Sequence, residues 1–125
     1  MVGVDMFATE ELAARMVRWW CREADDDVSS YFTADFVYDD GIEPVNREEF
    51  LFIRKSFGAI KDVKIVHIVA SLTGVAVMFE GTDTVTELRH RNCWLMSVDE
   101  KVVSRIWSCS GTIPKPEDLP FQVGP

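Results

Sequence analysis

The chain has 125 residues, 47% of them hydrophobic, which fits one globular domain (1–125) with a buried core and one ligand-sized cavity and leaves no room for two. A formal net charge of -8 argues against DNA or RNA as a partner, because the protein's field would repel a phosphate backbone. No segment approaches the length of a membrane-spanning helix, and Asp5, Glu10 and Glu11 stand where a secretory signal would be basic and then apolar, so a cytoplasmic address and no membrane partner are expected.

Thr9, followed by Glu10 and Glu11, reads as a helix cap with acids on the positive end of the dipole. Leu12, Met16, Trp19 and Trp20 recur at helical spacing, predicting one apolar stripe to about residue 24. Trp19 and Trp20 are adjacent and cannot face the same way, so one of them meets the cavity or a partner. Asp25, Asp26 and Asp27 can cap a second, short helix through Phe32 or form a solvated turn.

Phe36, Val37 and Tyr38 then predict a brief strand that stops at Asp39, Asp40 and Gly41. An acid leaving an apolar strand at the mouth of a covered cavity can have its pKa raised by desolvation and act as a base. The plainer alternative for Asp40 is a turn former that caps local N–H groups. Asn46 reads as the cap of a third helix, 47 to about 57, with Phe50, Ile53 and Phe57 on its apolar face and Gly58 as the stop.

The pattern then changes period. Residues 63–71, 75–85, 87–98 and 102–109 are four β-rich runs joined by turn chemistry, which predicts an antiparallel meander. From Ile113 the chain holds four of its five prolines, so a tail (112–125) along the surface or across a partner is expected after a core of 10–111. Helices first and strands afterwards make an α+β fold: about three helices on a strongly curved, mostly antiparallel sheet that encloses a pocket.

The order of elements, the segment FTADFVYDDGIEP and the closing hairpin NCWLMSVDEKVVSRIWS resemble the nuclear transport factor 2-like superfamily, in its SnoaL-like and ketosteroid-isomerase-like branch. That resemblance implies a cone-shaped fold, a homodimer and a general base at Asp40. Asn92 stands where ketosteroid isomerases keep a protonated aspartate, and the helix-one tyrosine of that family would fall near Met16 or Val17. FEGTD also resembles the Glu-Arg-x-Asp strand of limonene-epoxide-hydrolase-like proteins, with Asp83 at the acid, Gly81 in place of the arginine and Cys109 near the second acid of their relay. Tyr38 matches the water-holding tyrosine there. Scytalone-dehydratase-like members carry a histidine on the first long strand, which implies a role for His67.

Alternation gives a test that needs no resemblance: Leu88, His90, Asn92, Trp94 and Met96 share one strand face, and Val75, Val77, Phe79, Gly81 and Asp83 share the matching face of the next. With the roles the resemblance implies, the candidate residues are Asp40 as base, Asn92 with Tyr38 or His67 at an oxyanion or water, and Trp20, Phe57, Phe79, Asp83, Trp94 and Trp107 as pocket lining. Trp94 and Trp107 read first as core packing and only second as ligand-stacking platforms. The expected partner is a small hydrophobic ligand or substrate, turned over by proton transfer (isomerase, cyclase, dehydratase or epoxide hydrolase type) or only bound; the remaining alternative is a dimerisation or docking module on the open face of the sheet, where Arg89, Arg91, Cys93 and Leu95 alternate outward. Cys21, Cys93 and Cys109 form no Cys-x-x-Cys pair and read as reduced core thiols, and neither a metal nor a cofactor is expected.

Overall fold

A computed structural model describes residues 6–24, 27–56 and 59–114. Two helices, α1 (Met6–Trp20) and α2 (Arg47–Ser56), pack on a six-stranded sheet of β1 (Phe32–Asp39), β2 (Val45–Asn46), β3 (Ile60–Ala70), β4 (Gly74–Asp83), β5 (Arg89–Asp99) and β6 (Val102–Thr112). The strand order is β2-β1-β6-β5-β4-β3. Neighbours are antiparallel except β1 and β6, which run parallel. The predicted meander is therefore present as β3 to β6, and the final strand returns to pair with the first.

Several boundaries differ from the sequence reading. Helix α1 begins at Met6, so Thr9 lies within it, 6% exposed, and is not its cap. The short second helix reduces to a single 3₁₀ turn, Ser29–Tyr31, held by Asp27, whose Oδ1 accepts from the Ser29 N–H at 3.1 Å and from its hydroxyl at 2.7 Å. Asp25, Asp26, Phe57, Gly58 and the tail beyond Pro114 lie outside the described residues. Leu88 precedes β5 and is exposed. Asn46 does cap α2: its Oδ1 accepts from Glu49 N at 2.9 Å while the Glu49 carboxylate accepts from Asn46 N at 3.2 Å, a reciprocal capping box.

Alternation sorts the sheet into two faces. Val75, Val77 and Phe79 of β4, Trp94 and Met96 of β5, Ile106 of β6 and Phe36 of β1 are each at most 2% exposed. They pack beneath Ala13, Met16, Val17, Trp19 and Phe50 of the helices. Helix α1 contacts β3 and β4 while α2 contacts β1 and β2, so the middle strands β5 and β6 are roofed from two sides. Strand β3 is bulged twice: three steps from Lys61 to Lys64 face two on β4, and two from Ile65 to His67 face one. Such bulges bend an edge strand and increase its twist.

Candidate active site

A cavity of about 250 Å³ lies under the C-terminal turn of α1, against the inner faces of β1, β4, β5 and β6. Its walls are aromatic. The Trp20 ring stacks on Phe50 (centroids 4.9 Å apart, 8° between planes) and on Tyr38 (5.8 Å, 29°), and meets Trp94 edge-on at 5.7 Å. Phe79 stands edge-on to Trp94 at 5.1 Å. Trp19 faces the core instead, 5% exposed, and the two rings, about 100° apart around the helix, both pack on Phe50 while only Trp20 reaches the cavity.

Into this apolar shell project Tyr38, Asn92, Ser108, Ser110, His90, Asp40 and Asp83. Register brings them together: Asn92 lies between Phe79 and Ser110, Trp94 is opposite Ser108, and His90 is opposite Gly81. Tyr38 is 9% exposed. Burial pushes its phenol above the ordinary value of 10.0, a hydrogen bond with Ser108 works the other way, and the Asp40 charge adds to the rise. The group is thus a neutral hydroxyl at physiological pH, able to donate to an oxygen in the cavity.

The carboxylates occupy the mouth. Asp40 is exposed, where burial was expected, and its Oδ1 accepts the Ile42 N–H at 2.9 Å. This is the local turn that an acid beside glycine forms. Asp83 is half-buried, and its Oδ1 accepts from Val85 N at 2.7 Å and Thr86 N at 3.1 Å. Those two bonds, with the charge of His90, hold it below the ordinary 3.8. It is a turn anchor and a fixed negative charge facing the imidazole.

Two candidates lie elsewhere. His67 and Trp107 line a wider hollow, about 440 Å³, on the opposite face of the sheet. The second bulge in β3 sets His67 against Met78 rather than Phe79, and Trp107 is opposite Leu95, so both side chains point away from the helices. Phe57 is outside the described residues. Sequence reasoning missed Cys21, Ile60, Ser108 and Ser110 in the cavity wall. The two serines were within reach of the alternation argument, since they follow Ile106 at two-residue steps.

No protein-family model matches the sequence, and no curated protein matches it. Solved structures do. A protein of Kribbella flavida provisionally described as a ketosteroid isomerase superposes with a TM-score of 0.76 at 18% identity, covering 98% of this chain and 94% of its own. An LEH-like epoxide hydrolase of M. tuberculosis gives 0.68 at 17% identity over 85% and 84%. An NTF2-like protein of Cytophaga hutchinsonii gives 0.62 at 9% identity over 82% and 99%. The fold is that of the nuclear transport factor 2-like proteins. Identities this low establish architecture alone.

Within this nuclear transport factor 2-like fold the chain departs from both catalytic patterns implied by its sequence. Met16 and Val17, near the place of the helix-one tyrosine, are core residues at 1% and 0% exposure. No arginine fits at Gly81, where even a Cβ would collide with Cγ2 of Ile60. Cys109 points to the outer face opposite Cys93, so the second acid of an epoxide-hydrolase relay has no counterpart there. Cys93 and Cys109 are exposed, and only Cys21 is a core thiol.

Proposed function

We propose that the chain is a cofactor-independent enzyme that transfers a proton on a small, mostly apolar carbonyl, hydroxyl or epoxide compound seated between α1 and the inner sheet face. The observation that supports this reading is a single cavity in which aromatic walls meet a neutral phenol, an amide, two serine hydroxyls, an imidazole and two carboxylates. Tyr38 and Asn92 would donate to the oxygen that gains charge. Asp40 would take the proton at the mouth. One of its oxygens serves the turn, and an apolar ligand stacked on Trp20 would strip water from the other as it binds. The provisional ketosteroid isomerase and the epoxide hydrolase lend support to the general kind of chemistry and to nothing finer.

The exposure of Asp40 favours a second reading, a site that binds such a ligand without changing it. Native mass spectrometry of freshly purified protein, then incubation of any co-purified compound and of a panel of cyclic ketones and epoxides, separates the two. On the enzyme reading, Asp40→Asn lowers turnover by about 100-fold or more with no change in melting temperature, and Tyr38→Phe lowers kcat with little effect on binding. Full turnover in Asp40→Asn, lost instead in His90→Asn, would transfer the base to the imidazole. A ligand returned unchanged, with no panel member converted, leaves binding as the function.

A further inference from the structure

The outer face of the sheet carries a row of soft donors. Met78 on β4 is opposite Cys93 on β5, and Cys93 is opposite Cys109 on β6. All three line the same outer hollow, and both thiols are exposed. Thiolate and thioether sulfurs together select soft cations such as Cu(I) over hard ones. The apolar side chains of Val69, Ala76, Leu95 and Trp107 surround the row and would limit access of water.

Strand geometry favours a bridging ion over a direct bond. Directly opposed residues place their Cβ atoms about 4.5–5.5 Å apart, whereas a disulfide requires about 3.5–4.5 Å. Two metal–sulfur bonds of about 2.3 Å each span the wider gap without pulling the strands together. His67 continues the row beyond Met78, three strand spacings of about 4.8 Å each from Cys109, too far to share an ion with both thiols, whereas Met78 is one spacing from Cys93 and has a long, flexible side chain that can lean toward the pair. Among the described residues no three His, Cys, Asp or Glu side chains form a metal cluster, and the soft donor adjoining the two thiols in this row is Met78, opposite Cys93.

We propose that the outer sheet face binds one Cu(I) ion between the thiolates of Cys93 and Cys109, with the thioether of Met78 as third ligand. Binding changes no oxidation state. The two thiols release their protons to solvent as the ion enters, so uptake weakens as pH falls. No local motif marks this site, because its donors are spread over three strands and adjoin only through register.

The test is an anaerobic titration of the reduced chain with Cu(I) against a chelator of known affinity. It is followed by ultraviolet thiolate-to-copper absorption and by quenching of tryptophan emission, which Trp107 at the edge of the hollow should dominate. One ion per chain is expected. Cys93→Ser and Cys109→Ser should each weaken retention by more than the roughly 10- to 100-fold typical of losing an outer-shell partner, Met78→Leu should weaken it less, and Cys21→Ala should leave it unchanged. Retention by Cys93→Ser at the affinity of the unaltered chain overturns the proposal, as does a reduced protein that keeps no copper. A dimer that takes up copper only after dissociation also overturns it, because the face would then be an interface.

Discussion

Asp39 and Asp83 end strands and Asp40 follows directly on Asp39, yet each carboxylate is used differently. Asp39 divides its oxygens between the Gly41 N–H at 2.9 Å and the Arg105 guanidinium at 3.2 Å. Asp83 commits one oxygen to two backbone donors. Asp40 makes a single such bond, so that it and Asp83 each keep a second oxygen for a ligand, and Asp40 is the less tied of the two. Cys21 shows the opposite extreme, a group locked in one state. Burial, and then the charge of Glu23, push its thiol from an ordinary 9.0 up to about 12. The folded chain therefore holds this proton more tightly than the unfolded chain. The contribution to stability is complete below pH 9.0 and is lost as pH climbs toward about 12. Denaturant melts between pH 8 and 11 should show stability falling with pH, with a shallower fall in Cys21→Ala. Gly81 gives a steric test. Gly81→Ala forces a Cβ onto Ile60 and should cost about 1–3 kcal/mol, measured as a lower denaturation midpoint, and Ile60→Ala in the same chain should recover part of it. At this scale alternation made Phe79, Asn92 and Trp94 legible as inward-facing, but the one-residue bulge that turned His67 outward has no signature in its neighbours Val66 and Ile68.

The two helices are joined at their C-terminal ends by an exchange of arginines. Arg54 of α2, 8% exposed, donates from Nε to Trp19 O at 3.0 Å and from a terminal nitrogen to Ala24 O at 3.1 Å, with its guanidinium 4.8 Å from the centre of the Trp19 ring. Arg22, just past α1, donates to Arg54 O at 3.3 Å and Lys55 O at 2.7 Å. Each cation meets carbonyls at the negative end of the other helix, where the dipole favours it. Arg54→Ala should cost about 3 kcal/mol, the sum expected for charged hydrogen bonds lost at a buried position, whereas Arg22→Ala, on the exposed side, should cost less. Thermal melts of the two variants test that order. Periodicity revealed that α2 has one apolar face, but it could not mark Arg54 as buried, since nothing in a single sequence pairs it with carbonyls some thirty residues away. The β5–β6 hairpin was likewise half legible. A turn was expected at residues 98–101, but Glu100 (φ 48°) and Lys101 (φ 72°) both adopt the left-handed conformation that two-residue hairpins usually give to Asn and Gly.

The molecule as a whole was more readable than its parts. The switch from helical to alternating period marked the layer order, and the four long runs supplied the meander. The return of β6 to β1 was not readable, because a parallel contact between residues 32–39 and 102–112 is set by how the curved sheet closes beneath the helices and not by any local pattern. The cavity follows from that closure: Tyr38 comes from β1, Ser108 and Ser110 from β6 and Asn92 from β5. Because β1 has only the two-residue β2 on its other side, nearly all of its ladder waits for the last strand. During synthesis the first third of the chain would leave the ribosome with β1 lacking a lasting neighbour, and would acquire one only when the closing residues emerge. A nascent polypeptide stalled near residue 99 would thus remain open to proteolysis, and the site would come into being in a single late step.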